Sequence, residues 1–445
     1  MNRLFGTDGV RGIAGTELTP ELAFKLGFAG AHVLAEEKKN PVIFVGSDTR
    51  ISCDLLEHAL ISGILSAGAS VKRAGIIPTP ALSFLVRQKH ADAGVMISAS
   101  HNPAKYNGIK FFSGTGYKLP DETEDKIQHL IEENDMNICS GADIGRSFIL
   151  SDAEETYAEH LTKTIRTDLS GLKLCIDCAN GATYSLAPRV LRALGAEVFP
   201  IFCSPDGLNI NQNCGSTHME TLSSIVKTGQ YDLGIAFDGD GDRVLMTDRY
   251  GNYIDGDQIM AVSAIYLKEK GLLKNNTLVA TVMSNLALEL TCKEYGIILK
   301  RTAVGDRYVL EEMQKGDYIL GGEQSGHIIF SEYAGTGDGI LSCLQFLQIM
   351  KETGKSADEL CSVLCPLPQV LKNIKVPNEK KKEIMENSLL KKAISEIEIA
   401  MCNKGRVLLR PSGTEPQIRI MLEGENLETL NEQADSLSGI ILSLI

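Results

Sequence analysis

The chain has 445 residues, with 44 Lys and Arg against 57 Asp and Glu, a formal net charge of −13 at pH 7. A hydrophobic content of 43% with 23% charged residues excludes disordered and fibrous classes, and the length predicts about three domains at roughly 150 residues each. An isoelectric point near 5.2 argues against nucleic acid as the main partner, but a local cationic cluster can still meet a small phosphorylated ligand.

From the N-terminus, residues 1–8 carry no apolar leader, and no apolar stretch reaches about 18 residues, so a soluble cytoplasmic protein without membrane contact is expected. A strand is predicted at 42–45, a helix at 55–65, and a Gly-led strand at 67–71, Ala-Gly-Ala-Ser-Val. The same arm recurs as strand 172–176, helix 186–194 and strand 194–198, Leu-Gly-Ala-Glu-Val. It recurs again as strand 278–282, helix 286–295 and strand 295–299, Tyr-Gly-Ile-Ile-Leu. A second arm follows each time. Asp92, Asp232 and Asp317 open short apolar runs leading into polar loops at 99–103, 238–242 and 323–327, and eight residues on from them stand Ser100, Asp240 and Ser325. A further strand leaves each loop, at 109–112, 244–247 and 328–330.

Strands alternating with helices predict mixed sheets covered by helices, with ligands at the strand ends. The expected architecture is three related α/β domains with mixed sheets plus a smaller C-terminal α+β domain around a central cleft. After Pro366 and Pro368 come a Lys/Glu-rich helix at 378–399, strands at 406–409 and 417–422 around a loop at 410–416, and a helix at 427–444. The expected domains are 1–150, 151–254, 255–366 and 367–445. Each polar loop alone reads as an ordinary Gly- and Asp-rich turn; three in register point beyond that. The eleven cysteines include one isolated C-x-x-C, Cys175 and Cys178, which reads as buried strand thiols in an apolar run. Free thiols in that number fit a reducing compartment.

The loops differ in chemistry. Asp238, Asp240 and Asp242 on an extended strand would span roughly 13 Å, but Gly239 and Gly241 let the backbone curl until the carboxylates converge on one hard cation. Arg243 and Arg249 stand where a calcium-binding EF-hand loop needs Gly and Glu. Ser100, beside His101, lacks the Gly-x-Ser-x-Gly frame of a hydrolase and instead suggests phosphoryl transfer through a phosphoserine. His101 reads equally as a turn residue, and Lys110 as a site cation or a solvated strand face. Glu323, Ser325 and His327 suit sugar hydroxyls. Arg410, Ser412, Gly413, Thr414 and Arg419 compose a phosphate nest. Gly354-Lys-Ser imitates a P-loop end, but Ile349 occupies the position of its first Gly.

These four loops, in this order, resemble the phosphoserine, magnesium, sugar-binding and phosphate-binding loops of the α-D-phosphohexomutase superfamily, and the resemblance runs the length of the chain. The opening Phe5-Gly-Thr-Asp-Gly-Val-Arg-Gly12 and Gln324 are similar to its bacterial glucosamine-phosphate branch. Ser98 stands where the superfamily often has Thr, which keeps the hydroxyl. The resemblance implies a four-domain enzyme that interconverts glucosamine 6-phosphate and glucosamine 1-phosphate, on the route to UDP-N-acetylglucosamine and the cell wall. It implies transfer from phosphorylated Ser100 through glucosamine 1,6-bisphosphate. One Mg²⁺ would be held by Asp238, Asp240, Asp242 and the Ser100 phosphate. Arg11 and Lys110, with His101 beside the nucleophile, are the acid/base or charge-stabilising candidates. Gly305 and Asp306 join the sugar site, and the C-terminal domain is the expected lid. The ligand is a small sugar phosphate, and a homodimer is the candidate assembly. Competing readings are a phosphomannomutase/phosphoglucomutase, a metal-dependent sugar phosphatase, and a non-catalytic sugar-phosphate binder.

Overall fold

The apolar runs at 42–45, 93–97, 172–176, 233–237 and 278–282 become strands largely buried on both faces, as parallel sheets covered by helices require. A computed structural model describes residues 3–6, 8–34, 38, 40–133, 136–402, 404–412 and 416–445. Two compact units emerge, Met1–Met283 with Gly296–Val363, and Ser284–Tyr295 with Leu364–Ile445.

In the larger unit the first sheet contains β1 (Val10–Ile13), β2 (Val42–Ser47), β3 (Ser70–Ile76), β4 (Ala93–Ile97), β5 (Tyr106–Ser113) and β6 (Ser147–Ile149), in the order β1-β5-β4-β2-β3-β6. The second contains β7 (Lys173–Asp177), β8 (Glu197–Ile201), β9 (Leu233–Phe237), β10 (Val244–Asp248) and β11 (Tyr253–Ile254), in the order β11-β10-β9-β7-β8. The third contains β12 (Thr277–Thr281), β13 (Ile298–Thr302), β14 (Leu320–Gly322) and β15 (Ile328–Phe330), in the order β13-β12-β14-β15.

The repeat is therefore topological. In each sheet the first two strands of the repeat pair in parallel, the third lies parallel on the other side of the first, and the fourth turns back antiparallel to the third. The three polar loops are the connections of these terminal hairpins, β4–β5, β9–β10 and β14–β15. Strands β4, β9 and β12 are buried at every position.

The smaller unit has an antiparallel sheet of β16 (Gln369–Lys375), β17 (Arg406–Pro411) and β18 (Gln417–Glu423), in the order β16-β18-β17. The single helix expected at 378–399 is two, Asn378–Glu386 and Ser388–Ala400. Asn387 breaks it: its backbone is extended, and its side chain accepts from the amides of Leu389 and Leu390 as the cap of the second helix. Helix Leu286–Glu294, third-repeat in sequence, packs in this unit. Its first amide donates to Glu423 Oε2 (2.9 Å), which also takes Arg406 Nε (2.6 Å).

Candidate active site

Ser100 opens the turn out of β4 with φ of 52°, a left-handed backbone rarely adopted by a residue with a side chain. Its surroundings enforce it. Arg50, its side chain wholly buried, donates to the carbonyls of Ser100 (2.9 Å), Asn102 (2.8 Å), Pro103 (2.7 Å) and Tyr106 (3.1 Å). Asp48 balances that charge through Arg50 Nε (2.9 Å) and accepts from Ser98 Oγ (2.7 Å), which in turn accepts from the Ser100 amide (2.9 Å). From the second domain Asn211 Nδ2 also reaches the Ser100 carbonyl (2.9 Å).

The Ser100 hydroxyl is thereby aimed at the carboxylate loop, donating to Asp238 Oδ2 at 2.7 Å. Ligand oxygens of Asp238, Asp240 and Asp242 all lie within 4.8 Å of one another, and the three residues are buried. Both glycines are needed. A Cβ at Gly239 would sit 2.6 Å from the Ser100 carbonyl oxygen, and Gly241 has φ of 71°. Burial, then Asp242 and Asp240, drive the Asp238 pKa well above the usual carboxylate range. Asp240 goes the other way despite its burial, because Lys110 and Thr79 stabilise its charge. Asp240 Oδ1 and Asp242 Oδ1 are buried without a hydrogen-bond partner. Orphaned hard oxygens among mutually repelling carboxylates fit a divalent cation such as magnesium.

Lys110 faces this cluster and not solvent. It is 2% exposed, 2.9 Å from Asp240 Oδ2 and 2.8 Å from Asp8 Oδ2. Burial opposes its charge, but Asp240 and Asp8 outweigh it and raise the pKa. Arg11 also donates to Asp8. His101 Nδ1 lies 3.3 Å from Ser100 Oγ, and burial with the nearby Arg243 and Arg11 pulls its pKa down to about 4, leaving a neutral ring.

The third domain is stitched to the second domain's carboxylate hairpin through its backbone. The Val244 amide donates to the Gly326 carbonyl (3.1 Å), and the Gly339 amide to that of Gly241 (3.0 Å). Glu323 Oε1 accepts from the Gly305 amide (3.1 Å), and Ser325 is exposed. His327 sits 3.5 Å from both Asp242 and Asp306; the Gly337 amide donates to its Nε2 (3.0 Å), so its ring proton is at Nδ1, toward Asp242. Asp306, the residue after Gly305, is engaged by Lys118 (2.5 Å).

In the smaller unit Arg410 and Arg419 are directly paired across β17 and β18, and burial together with Arg419 lowers the Arg410 pKa. Lys381 donates to the Ser412 carbonyl (2.6 Å). Gly413 and Thr414 lie outside the described residues. Cys175 and Cys178 are buried thiols, as expected.

Sequence reasoning missed Asp8, Asp48, Arg50, Thr79, Lys118 and Asn211. The only local hint was the charged Asp-Thr-Arg directly after a buried strand.

The sequence matches the phosphoglucomutase/phosphomannomutase family over its alpha/beta/alpha domains I (residues 2–137), II (155–251) and III (255–366) and its C-terminal domain (371–439). A curated phosphoglucosamine mutase of Clostridium botulinum (strain Eklund 17B / Type B) is 55% identical, with 100% of both chains covered. In fold the chain is similar to a phosphoglucomutase/phosphomannomutase family protein of Burkholderia thailandensis (TM-score 0.83, 22% identity, 100% of this chain and 98% of that one). It is also similar to an N-acetylphosphoglucosamine mutase of Aspergillus fumigatus solved with GlcNAc-6P and magnesium (TM-score 0.71, 17% identity, 99% and 96% covered). From end to end, this chain belongs to the phosphoglucomutase/phosphomannomutase family, on its phosphoglucosamine mutase branch.

Proposed function

We propose that the protein is an isomerase that interconverts glucosamine 6-phosphate and glucosamine 1-phosphate through phosphorylated Ser100. The observation that carries the chemistry is the Ser100 hydroxyl, held in a strained turn 2.7 Å from a buried three-carboxylate cluster. Full-length 55% identity to phosphoglucosamine mutases supports the choice of sugar.

In the forward half-reaction a sugar hydroxyl oxygen bonds to phosphorus as the bond from phosphorus to Ser100 Oγ breaks. The sugar hydroxyl loses a proton and Ser100 Oγ gains one. His101, neutral and 3.3 Å from that oxygen, can exchange a proton there. Lys110 and Arg11, both paired with Asp8, serve as positive charges beside the transferring group. The resulting glucosamine 1,6-bisphosphate turns round, and its other phosphate returns to Ser100. Glu323, Ser325 and His327 grip the sugar, and the Arg410–Arg419 cation pair binds phosphate. Asp238, Asp240 and Asp242 would hold Mg²⁺, whose charge lowers the repulsion between phosphate and an incoming anionic substrate. Cytoplasmic location, supported by the free thiols, and a homodimer belong to the same reading.

An intact-mass measurement with peptide mapping should find one phosphate on Ser100, and Ser100→Ala should lose both phosphate and isomerase activity. Comparing kcat/KM for glucosamine 1-phosphate and glucose 1-phosphate should favour the amino sugar. A preference for glucose 1-phosphate would overturn the sugar assignment. Phosphate release undiminished in Ser100→Ala would make the protein a phosphatase.

A further inference from the structure

Around the site, charged groups form a chain that runs through three domains. It leaves Asp240 of the second domain for Lys110 (2.9 Å), Asp8 (2.8 Å) and Lys118 (2.5 Å) of the first. It crosses to Asp306 of the third (2.5 Å), where His327 of the same domain stands 3.5 Å from both Asp306 and Asp242. Lys118 is the lysine of this chain that meets neither the metal-loop carboxylates nor Ser100. Its side chain is 14% exposed, and it ties the first domain to the third.

What it links is specific. Asp8 is the shared partner of Lys110 and Arg11 beside the Ser100 loop. Asp306 opens helix Asp306–Gly316 directly after Gly305, whose amide holds Glu323 Oε1 at 3.1 Å. Without an ammonium between them, Asp8 and Asp306 would be two partly buried carboxylates repelling each other across a domain boundary. A compact lysine charge with several donors satisfies both at once.

We propose that Lys118 is a positioning residue for phosphoryl transfer, setting the distance between the sugar-gripping Glu323 and the phosphoryl-carrying Ser100; the proposal rests on the mutase reading above. Lys118 touches no reacting atom. It acts through Asp306 and Gly305 on one side and Asp8 on the other. A second tie between the same domains, Arg307 to Asp121 at 2.5 Å, is more exposed and leaves the fold supported when Lys118 is replaced.

The test compares the full-length wild type with Lys118→Met, Lys118→Arg, Asp306→Asn and the double variant Lys118→Met/Asp306→Asn. The readouts are KM, kcat, Ser100 phosphate content by intact mass, and thermal midpoint with and without added Mg²⁺. Lys118→Met should raise KM for the sugar phosphate about 10- to 100-fold, the scale of an ångström-sized misplacement. Its Ser100 phosphate content and its midpoint shift with Mg²⁺ should match wild type. Lys118→Arg should recover part of the loss, and the double variant should be no worse than the worse single. If Lys118→Met does not fold, Asp306→Asn alone must show the same rise in KM. A wild-type KM in both single variants would overturn the proposal, as would parallel loss of activity and Ser100 phosphate. A wild type that fails to turn over glucosamine phosphates overturns the mutase reading instead.

Discussion

Asp177, at the end of β7, is fully buried and accepts from the amides of Ala179 and Gly215, both at 2.8 Å. Burial pushes its pKa up to about 7 against the pull of those two donors. An unfolded aspartate titrates near 4, so between about pH 4 and 7 the native state binds a proton that the unfolded state does not. This group therefore adds stability as pH falls through that window and withdraws it as pH rises. The stability of wild type relative to Asp177→Asn should grow by up to about 1.4 kcal/mol per pH unit from pH 7 to pH 5, measured by urea unfolding. A flat difference would show that the two amides keep Asp177 ionised. Side chains of this kind also mark where the sequence falls silent. Ser100 and Asp238 announced themselves because their chemistry is concentrated in a few adjacent residues. Arg50 and Asn211 reach the same Ser100 carbonyl from 50 and 111 positions away, and no spacing rule encodes such a meeting.

At the scale of elements, the β9–β10 hairpin shows how little room a loop can have. Its Gly239 lies so close to Ser100 that a methyl group would come within 2.6 Å of the carbonyl oxygen and 2.7 Å of Asn211 Nδ2. Gly239→Ala should cost about 2 kcal/mol or more in stability and at least tenfold in kcat, because relief requires the Ser100 turn to move. A variant with wild-type kcat would show that the Ser100 turn tolerates displacement. The hairpins themselves were legible: the Asp-led apolar runs and the polar loops eight residues on fall on equivalent strands in all three sheets. The break at Asn387 was not. Lys- and Glu-rich sequence on both sides reads as one continuous helix, and only a side chain that turns back to cap marks the interruption.

Over the whole molecule, the smaller unit depends on one carboxylate. Glu423, fully buried, gathers Arg406, the Leu286 amide and Gln369 (2.9 Å), while Arg406 also donates to the Ser284 carbonyl (2.6 Å). Glu423→Gln leaves the Arg406 guanidinium without its counter-charge, a loss of about 3–5 kcal/mol. Hydrogen exchange should quicken in β16, β17 and β18 while β4 and β9 keep their protection; equal loosening of all five strands would show that the network is not confined to the smaller unit. This dependence explains why helix Leu286–Glu294 departs from its place in the repeat: its N-terminal end is bound by residues more than a hundred positions downstream. The threefold recurrence of one strand order carries a consequence for ancestry and for redesign. Each hairpin tip can diverge while the sheet beneath it goes on being selected for the same packing. One copy could thus become a nucleophile carrier, another a cation holder and a third a sugar reader. On the mutase reading proposed above, an engineer who wishes to change the accepted sugar has a natural unit of exchange in the third tip, apart from the Ser100 and carboxylate tips of the other two.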